Sequence, residues 1–122
     1  MAHILIVEDN EMNADMLSRR LRRRGFEVSH AMDGEEGISM VRELEPDLVL
    51  MDLNLPRLDG WEATRRLKAD PSTATIPVVA LTANAMRGDR DKALAVGCEA
   101  YATKPIDFPS LLETVGELLG TT

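Results

Sequence analysis

The chain has 122 residues, 44% hydrophobic and 29% charged, which suits one globular domain burying roughly two thirds of its unfolded surface and leaves no room for a second. Its net charge of -7 argues against a whole-domain electrostatic grip on nucleic acid, and two phenylalanines, one tryptophan and one tyrosine make no stacking platform. No apolar run approaches the roughly 20 residues of a membrane span, and the start moves straight into a strand-like run with no basic leader, so the cytoplasm is the expected location and no membrane contact is expected.

Ala2 to Val7 reads as a buried strand that stops on Glu8 and Asp9. Asn10 or Asp9 then caps a helix whose Ala14, Leu17 and Leu21 recur at helical spacing and which Gly25 ends. Phe26 to Ala31 is a shorter, more polar strand suited to a sheet edge. Asp33-Gly34 opens a second helix with Ile38, Val41 and Leu44 turned inward, halted by Glu45-Pro46.

Leu48 to Met51 is apolar without alternation, the pattern of a strand covered on both faces, yet it stops on Asp52. A loop with Pro56 follows, then Asp59-Gly60 and a helix from Trp61 to Lys68 that Asp70-Pro71-Ser72-Thr73 breaks. Ile76 to Leu81 forms a fourth strand ending on Thr82, and a helix from roughly Met86 to Val96 runs into Gly97. Ala100 to Thr103 is a short buried strand ending on Lys104-Pro105. Asp107 caps a last helix with Leu111, Leu112, Val115, Leu118 and Leu119 on its inner face. Strand and helix thus alternate five times, which predicts a doubly wound α/β fold with five parallel strands and helices on both faces.

In an open parallel sheet, ligands bind at the carboxyl ends of the strands. Glu8, Asp9, Asp52, Thr82 and Lys104 all fall there. Any one of them reads equally well as a cap or loop residue, but the set does not. Two unit charges about 4 Å apart repel by roughly 4 kcal/mol at an effective dielectric of 20, so three gathered carboxylates need compensating cations. Lys104 supplies one, and the remaining excess suits Mg²⁺, a hard ion that takes oxygen ligands and favours phosphate. No His or Cys spacing suggests zinc. A carboxylate beside Mg²⁺, an ammonium and a hydroxyl are parts for phosphoryl transfer, with Asp52 on the central strand as the nucleophile.

Val7-Glu8-Asp9-Asn10, Leu50 to Pro56, Leu58-Asp59-Gly60, Ala80-Leu81-Thr82-Ala83 and Tyr101 to Pro105 resemble, in order and spacing, the signature of bacterial response regulator receiver domains of the CheY-like kind. The likeness spans the whole chain, 1–122, as one receiver domain. It implies strand order 2-1-3-4-5 and transfer of a phosphoryl group to Asp52 from a sensor histidine kinase or histidine phosphotransfer protein. It further implies that Asp9, Asp52 and the Asn54 carbonyl ligate Mg²⁺, with Glu8 acting through water. Thr82 and Lys104 would contact the phosphoryl group, Tyr101 would change rotamer, and the Lys104-Pro105 bond would be cis. Asn54 and Asn84 match positions that tune phosphoryl lifetime. The expected product is a single-domain regulator, monomer or weak dimer, that binds a protein target or passes the phosphoryl group on; a receiver cut from a longer protein would read the same way.

Such a switch needs about 5.5 kcal/mol of differential interaction to move a population from 1:99 to 99:1. Two or three charge-assisted hydrogen bonds of about 1.5–3 kcal/mol each supply it.

Two other readings compete. A phosphohydrolase of the haloacid dehalogenase type also uses a strand-end Asp, Mg²⁺, Thr and Lys, but needs a second acid two residues on, where this chain has Asn54. A non-phosphorylated interaction module would not need the full set of site residues. Flavin binding is weaker still, because no phosphate loop follows the first strand.

Other features read as ordinary. Tyr101 on residue type alone is a strand aromatic. Arg19, Arg20, Arg22, Arg23 and Arg24 suit the negative end of a helix dipole, away from the site, as a solvated helix end rather than a docking patch. Asn13, Ala14 and Leu17 are better placed to meet a kinase, and Met16 is expected to pack. Cys98, the only cysteine, reads as a small buried hydrophobe, and Trp61 as a partial cover. Neither His3 nor His30 has the neighbours of a metal ligand.

Overall fold

The computed structural model describes residues 2–55, 58–83 and 87–120, the side chains of 87–90 excepted. Pro56, Asn84, Met86 and the Thr121-Thr122 end lie outside the described residues. In chain order the elements are β1 His3–Val7, α1 Glu11–Arg23, β2 Glu27–Ala31, α2 Gly34–Leu44, β3 Leu48–Asp52, α3 Gly60–Ala69, β4 Val78–Thr82, α4 Arg87–Ala95, β5 Ala100–Thr103 and α5 Phe108–Leu119. All strand pairings are parallel and the order is β2-β1-β3-β4-β5.

Because side chains alternate across a strand, the sheet builds a separate core on each face. On one side Ile4, Ile6, Leu48, Leu50, Val79 and Leu81 pack with Ala14 and Leu21 of α1 and with Leu111 and Val115 of α5. On the other, Leu5, Val7, Val49 and Met51 meet Ile38 and Val41 of α2, Ala63 and Leu67 of α3, and Ala93 of α4. Cys98 is buried in the latter core, which pushes its thiol up to about 11 and leaves it inert.

Helix entry follows the expected caps. Asn10 Oδ1 accepts from Asn13 N at 3.0 Å, Asp33 Oδ1 from Glu36 N at 2.9 Å and Asp59 Oδ1 from Glu62 N at 2.9 Å. Since Asn10 caps α1, the neighbouring Asp9 carboxylate is not spent there. α2 ends on Glu45, which takes the left-handed conformation at φ 47° and ψ 58° although it carries a side chain.

Several expectations need correction. Leu44 is 39% exposed, not inward, because α2 ends there, and Val41, one turn earlier, is the last residue of the helix in the core. Ala14 is buried at 1% in the core between α1 and the sheet, so its side chain is not available to a kinase; Asn13 is exposed and Leu17 half-buried. Met16 is 55% exposed instead of packed. β4 begins at Val78 rather than Ile76, since Pro77 has no N–H to give a ladder. β5, at the sheet's second edge, is half-buried along its length.

Candidate metal centre at the carboxyl edge of the sheet

Register brings the strand ends level. Val7 pairs with Met51, Asp52 with Leu81 and Thr82 with Thr103, so the residues following β1, ending β3 and β4, and following β5 share one rim. The close seating of α3 needs Gly60: a Cβ there would lie 2.2 Å from the Asp52 carbonyl oxygen and 2.7 Å from Leu53 Cα. This glycine is required by space rather than by backbone angle.

Asp52 is buried at 2%; its Oδ1 accepts from Asn54 N at 2.9 Å and its Oδ2 from Lys104 Nζ at 3.0 Å. Lys104 Nζ also donates to Glu8 Oε1 at 2.9 Å. Glu8 is buried at 4%, and Asp9 is exposed at the mouth. Glu8, Asp9 and Asp52 each offer a carboxylate oxygen, and these atoms lie within 4.8 Å of one another.

The charges are unbalanced. Burial first, then the hydrogen bond and charge of Asp52, push Glu8 up to about 7 despite Lys104. Burial alone would lower Lys104, but its bonds to Glu8 and Asp52 and their charges hold it above the usual lysine range. Three oxygen donors and one ammonium fit a hard divalent ion such as Mg²⁺, which keeps several waters and tolerates few carboxylates.

Thr82 is buried at 1%, Tyr101 lies half-buried against the α2–α3–α4 core, and the Lys104–Pro105 peptide bond is cis. The Asn54 side chain is exposed. His30 Nε2 sits 2.6 Å from the Glu8 carbonyl oxygen, which fixes it as a backbone support. His3 Nε2 is 2.7 Å from Ser29 Oγ, remote from this rim.

Two features were not foreseen. A cleft of about 640 Å³ opens beside the site, lined along α1 by Asn13, Met16, Leu17 and Arg20 and along the β5–α5 connection by Lys104, Pro105, Ile106 and Phe108. At the opposite rim, Lys68 Nζ donates to Ala74 O at 3.1 Å, Ile76 O at 2.8 Å and Glu99 Oε2 at 2.8 Å. Glu99 Oε1 in turn accepts from Val78 N at 2.7 Å. Only the apolar spacing of α1 hinted at the cleft, and nothing local announces the Lys68 clasp, whose partners follow in sequence at different distances.

A five-stranded parallel sheet in the order 2-1-3-4-5, with a triad of acids and a lysine at its carboxyl edge, defines the receiver class of α/β signalling domains. Residues 4–116 match the response regulator receiver domain, and the chain belongs to that family, the receivers of two-component signalling. It is 43% identical over 117 residues to the polar-differentiation response regulator DivK of Brucella anthropi, covering 96% of this chain and 95% of that protein. The receiver domain of sensor histidine kinase PA1611 from Pseudomonas aeruginosa, solved with magnesium coordinated in its active site cleft, is 36% identical. That structure superposes with a TM-score of 0.90 over 98% of both chains. The receiver domain of Saccharomyces cerevisiae Ssk1, solved with the histidine phosphotransfer protein Ypd1, is 34% identical at a TM-score of 0.88, over 96% of this chain and 88% of that one. The hydrolase and the non-phosphorylated module are not favoured by this membership. Among the described residues, no helix is long and apolar enough to cross a membrane.

Proposed function

We propose that Asp52 is the phosphoacceptor of a single receiver domain spanning residues 1–122, and that a sensor histidine kinase or histidine phosphotransfer protein is the donor. The observation that carries this reading is the bridge of Lys104 Nζ between Glu8 and Asp52 inside a three-carboxylate cluster. A Asp52 carboxylate oxygen attacks phosphorus, the phosphorus–nitrogen bond to the donor imidazole breaks, and the imidazole leaves with the electron pair and takes a proton. Asp9, Asp52 and the Asn54 carbonyl would hold Mg²⁺, with Glu8 acting through water. The ion, when bound, neutralises charge on the phosphoryl oxygens.

Lys104 and Thr82 bind those oxygens, and Thr82 with Tyr101 carries the change to the face formed by α4, β5 and α5. The domain catalyses only its own phosphorylation and dephosphorylation, works in the cytoplasm as a monomer or weak dimer, and acts on a protein rather than on nucleic acid. The magnesium site of the PA1611 receiver and the Ypd1–Ssk1 complex support the ion and the kind of donor. The test is incubation with acetyl phosphate and Mg²⁺ followed by intact mass. One added phosphoryl group on the wild type, absent in Asp52→Asn and absent with EDTA, is expected; equal labelling of Asp52→Asn would end the assignment.

A further inference from the structure

Six consecutive residues, Arg19 to Arg24, hold five of the chain's 14 cations and no acid, which leaves nine cations against 21 acids in the rest of the chain. All five arginines are exposed. Three are engaged within the fold: Arg19 Nε pairs with Asp15 Oδ2 at 3.0 Å, Arg22 donates to Val28 O at 3.1 Å, and the Arg20 guanidinium lies 5.6 Å from the centroid of the Phe108 ring. The side chains of Arg23 and Arg24 have no hydrogen bond, ion pair or ring contact among the described residues, although exposed Glu27 follows only three positions after Arg24. Elsewhere Arg42, Arg65, Arg66, Lys68 and Lys104 each meet a carboxylate.

The end of α1 does not require this crowding. The Leu21 carbonyl already accepts from Arg24 N at 3.0 Å and Phe26 N at 3.3 Å, and the Arg22 carbonyl from Gly25 N at 3.0 Å. The helix dipole favours cations in the final turn, but Arg19 and Arg22, Arg19 and Arg23, Arg20 and Arg23, and Arg20 and Arg24 stand three or four positions apart. Like charges at that spacing repel. The cluster therefore holds a repulsion that an anionic partner relieves.

We propose that the Arg22–Arg24 end of α1, at the rim opposite Asp52, docks an acidic segment of a partner protein. Free guanidinium forks hold carboxylates with two parallel hydrogen bonds. A short run of Asp and Glu covers this patch and nothing else. A nucleic-acid duplex or an anionic bilayer extends beyond it and, within a Debye length of about 8 Å, lies against a surface where acids outnumber cations 21 to nine. The 13 residues of α1 separate this end from the phosphorylation rim by about 20 Å, so a partner held here leaves Asp52 open and can present a second module to it at high effective concentration. The docking surface does not depend on which donor serves Asp52.

The experiment titrates the full chain against a fluorescein-labelled decapeptide of alternating Asp and Glu at low salt, reading anisotropy. A Ser-Gly decapeptide, an oligothymidine of the same length and phosphatidylglycerol vesicles serve as comparison ligands. Expected is saturable binding of the acidic peptide alone, weakened about tenfold in Arg23→Gln/Arg24→Gln, weakened less in Arg23→Lys/Arg24→Lys, and unchanged in Arg65→Gln/Arg66→Gln, which removes the same charge elsewhere. Acetyl phosphate labelling of Asp52 should continue with the peptide bound. No saturable binding, or equal weakening in the Arg65→Gln/Arg66→Gln control, overturns the proposal. Tighter binding of the oligothymidine or the vesicles overturns the choice of partner, and full affinity in the Lys pair overturns the role of the guanidinium fork. Labelling blocked by the peptide overturns the placement at the far rim, whereas peptide binding without any labelling of Asp52 counts against the receiver reading and leaves this surface standing.

Discussion

Lys104 Nζ reaches Asp52 Oδ2 at 3.0 Å although β4 runs between the strands that carry the two residues. A shorter cation could not cross that width, and no other lysine or arginine bonds to Asp52 or Glu8 among the described residues. Lys104→Met keeps the length and removes the charge, leaving both acids buried without a cation. A loss of about 3 kcal/mol at pH 8 in EDTA is expected, partly restored by Mg²⁺. Urea midpoints of the two proteins, with and without the ion, measure it.

Glu8 sets a pH dependence. Its folded value of about 7 stands above the ordinary glutamate value of 4.5, so between these the native state holds the extra proton. The resulting stability is complete below pH 4.5 and is lost as pH rises through 7, with a span of about 3 kcal/mol. Metal-free melting temperatures should therefore fall from pH 5 to 8 more steeply than those of Glu8→Gln. Because cation binding favours the ionised acid, Mg²⁺ affinity should rise over the same interval. A flat difference between the two proteins in EDTA would contradict the assignment.

Gly60→Ala puts a methyl group onto the backbone of Asp52 and Leu53. Since the obstacle is main chain rather than a flexible side chain, α3 must shift away, and a loss of about 2–3 kcal/mol is expected together with slower acetyl phosphate labelling. Calorimetry and intact mass on the same sample report both effects.

Lys68→Met dismantles the clasp at the far rim. Lys68 is 14% exposed in its side chain, and its removal strips a charged donor from two carbonyls and from Glu99. About 2–4 kcal/mol of stability should go, with Asp52 still labelled by acetyl phosphate. Chemical denaturation followed by tryptophan emission checks the first, since Trp61 packs against the same core.

What could be read in advance follows from how local each signal is. The uninterrupted Leu48–Met51 run, the caps at Asp33 and Asp59 and the acids after β1 and β3 are written in adjacent residues, and the alternation of strand and helix followed from them. Leu44 failed for a tertiary reason: helical spacing says which way a residue points but not where the sheet beneath it stops. The inward reading of Ala14 held, and that burial is what removes it as a kinase contact. Met16 was mistaken for core because its spacing suits a helix face that turns out to border an open cleft. Arg20 was hidden in a run of like residues, since what sets it apart is Phe108, brought to it only by the packing of α5 beside α1. The half-burial of β5 likewise comes from its place at the sheet edge, not from its four residues.

Glu45, at the end of α2, stays in a backbone shape that glycine adopts freely. Glu45→Gly should relieve about 0.5–1 kcal/mol and raise the melting temperature by a few degrees, with the labelling rate at Asp52 as its control. For anyone wanting a hardier reagent from this domain, the first edit belongs at a surface corner remote from every reacting atom.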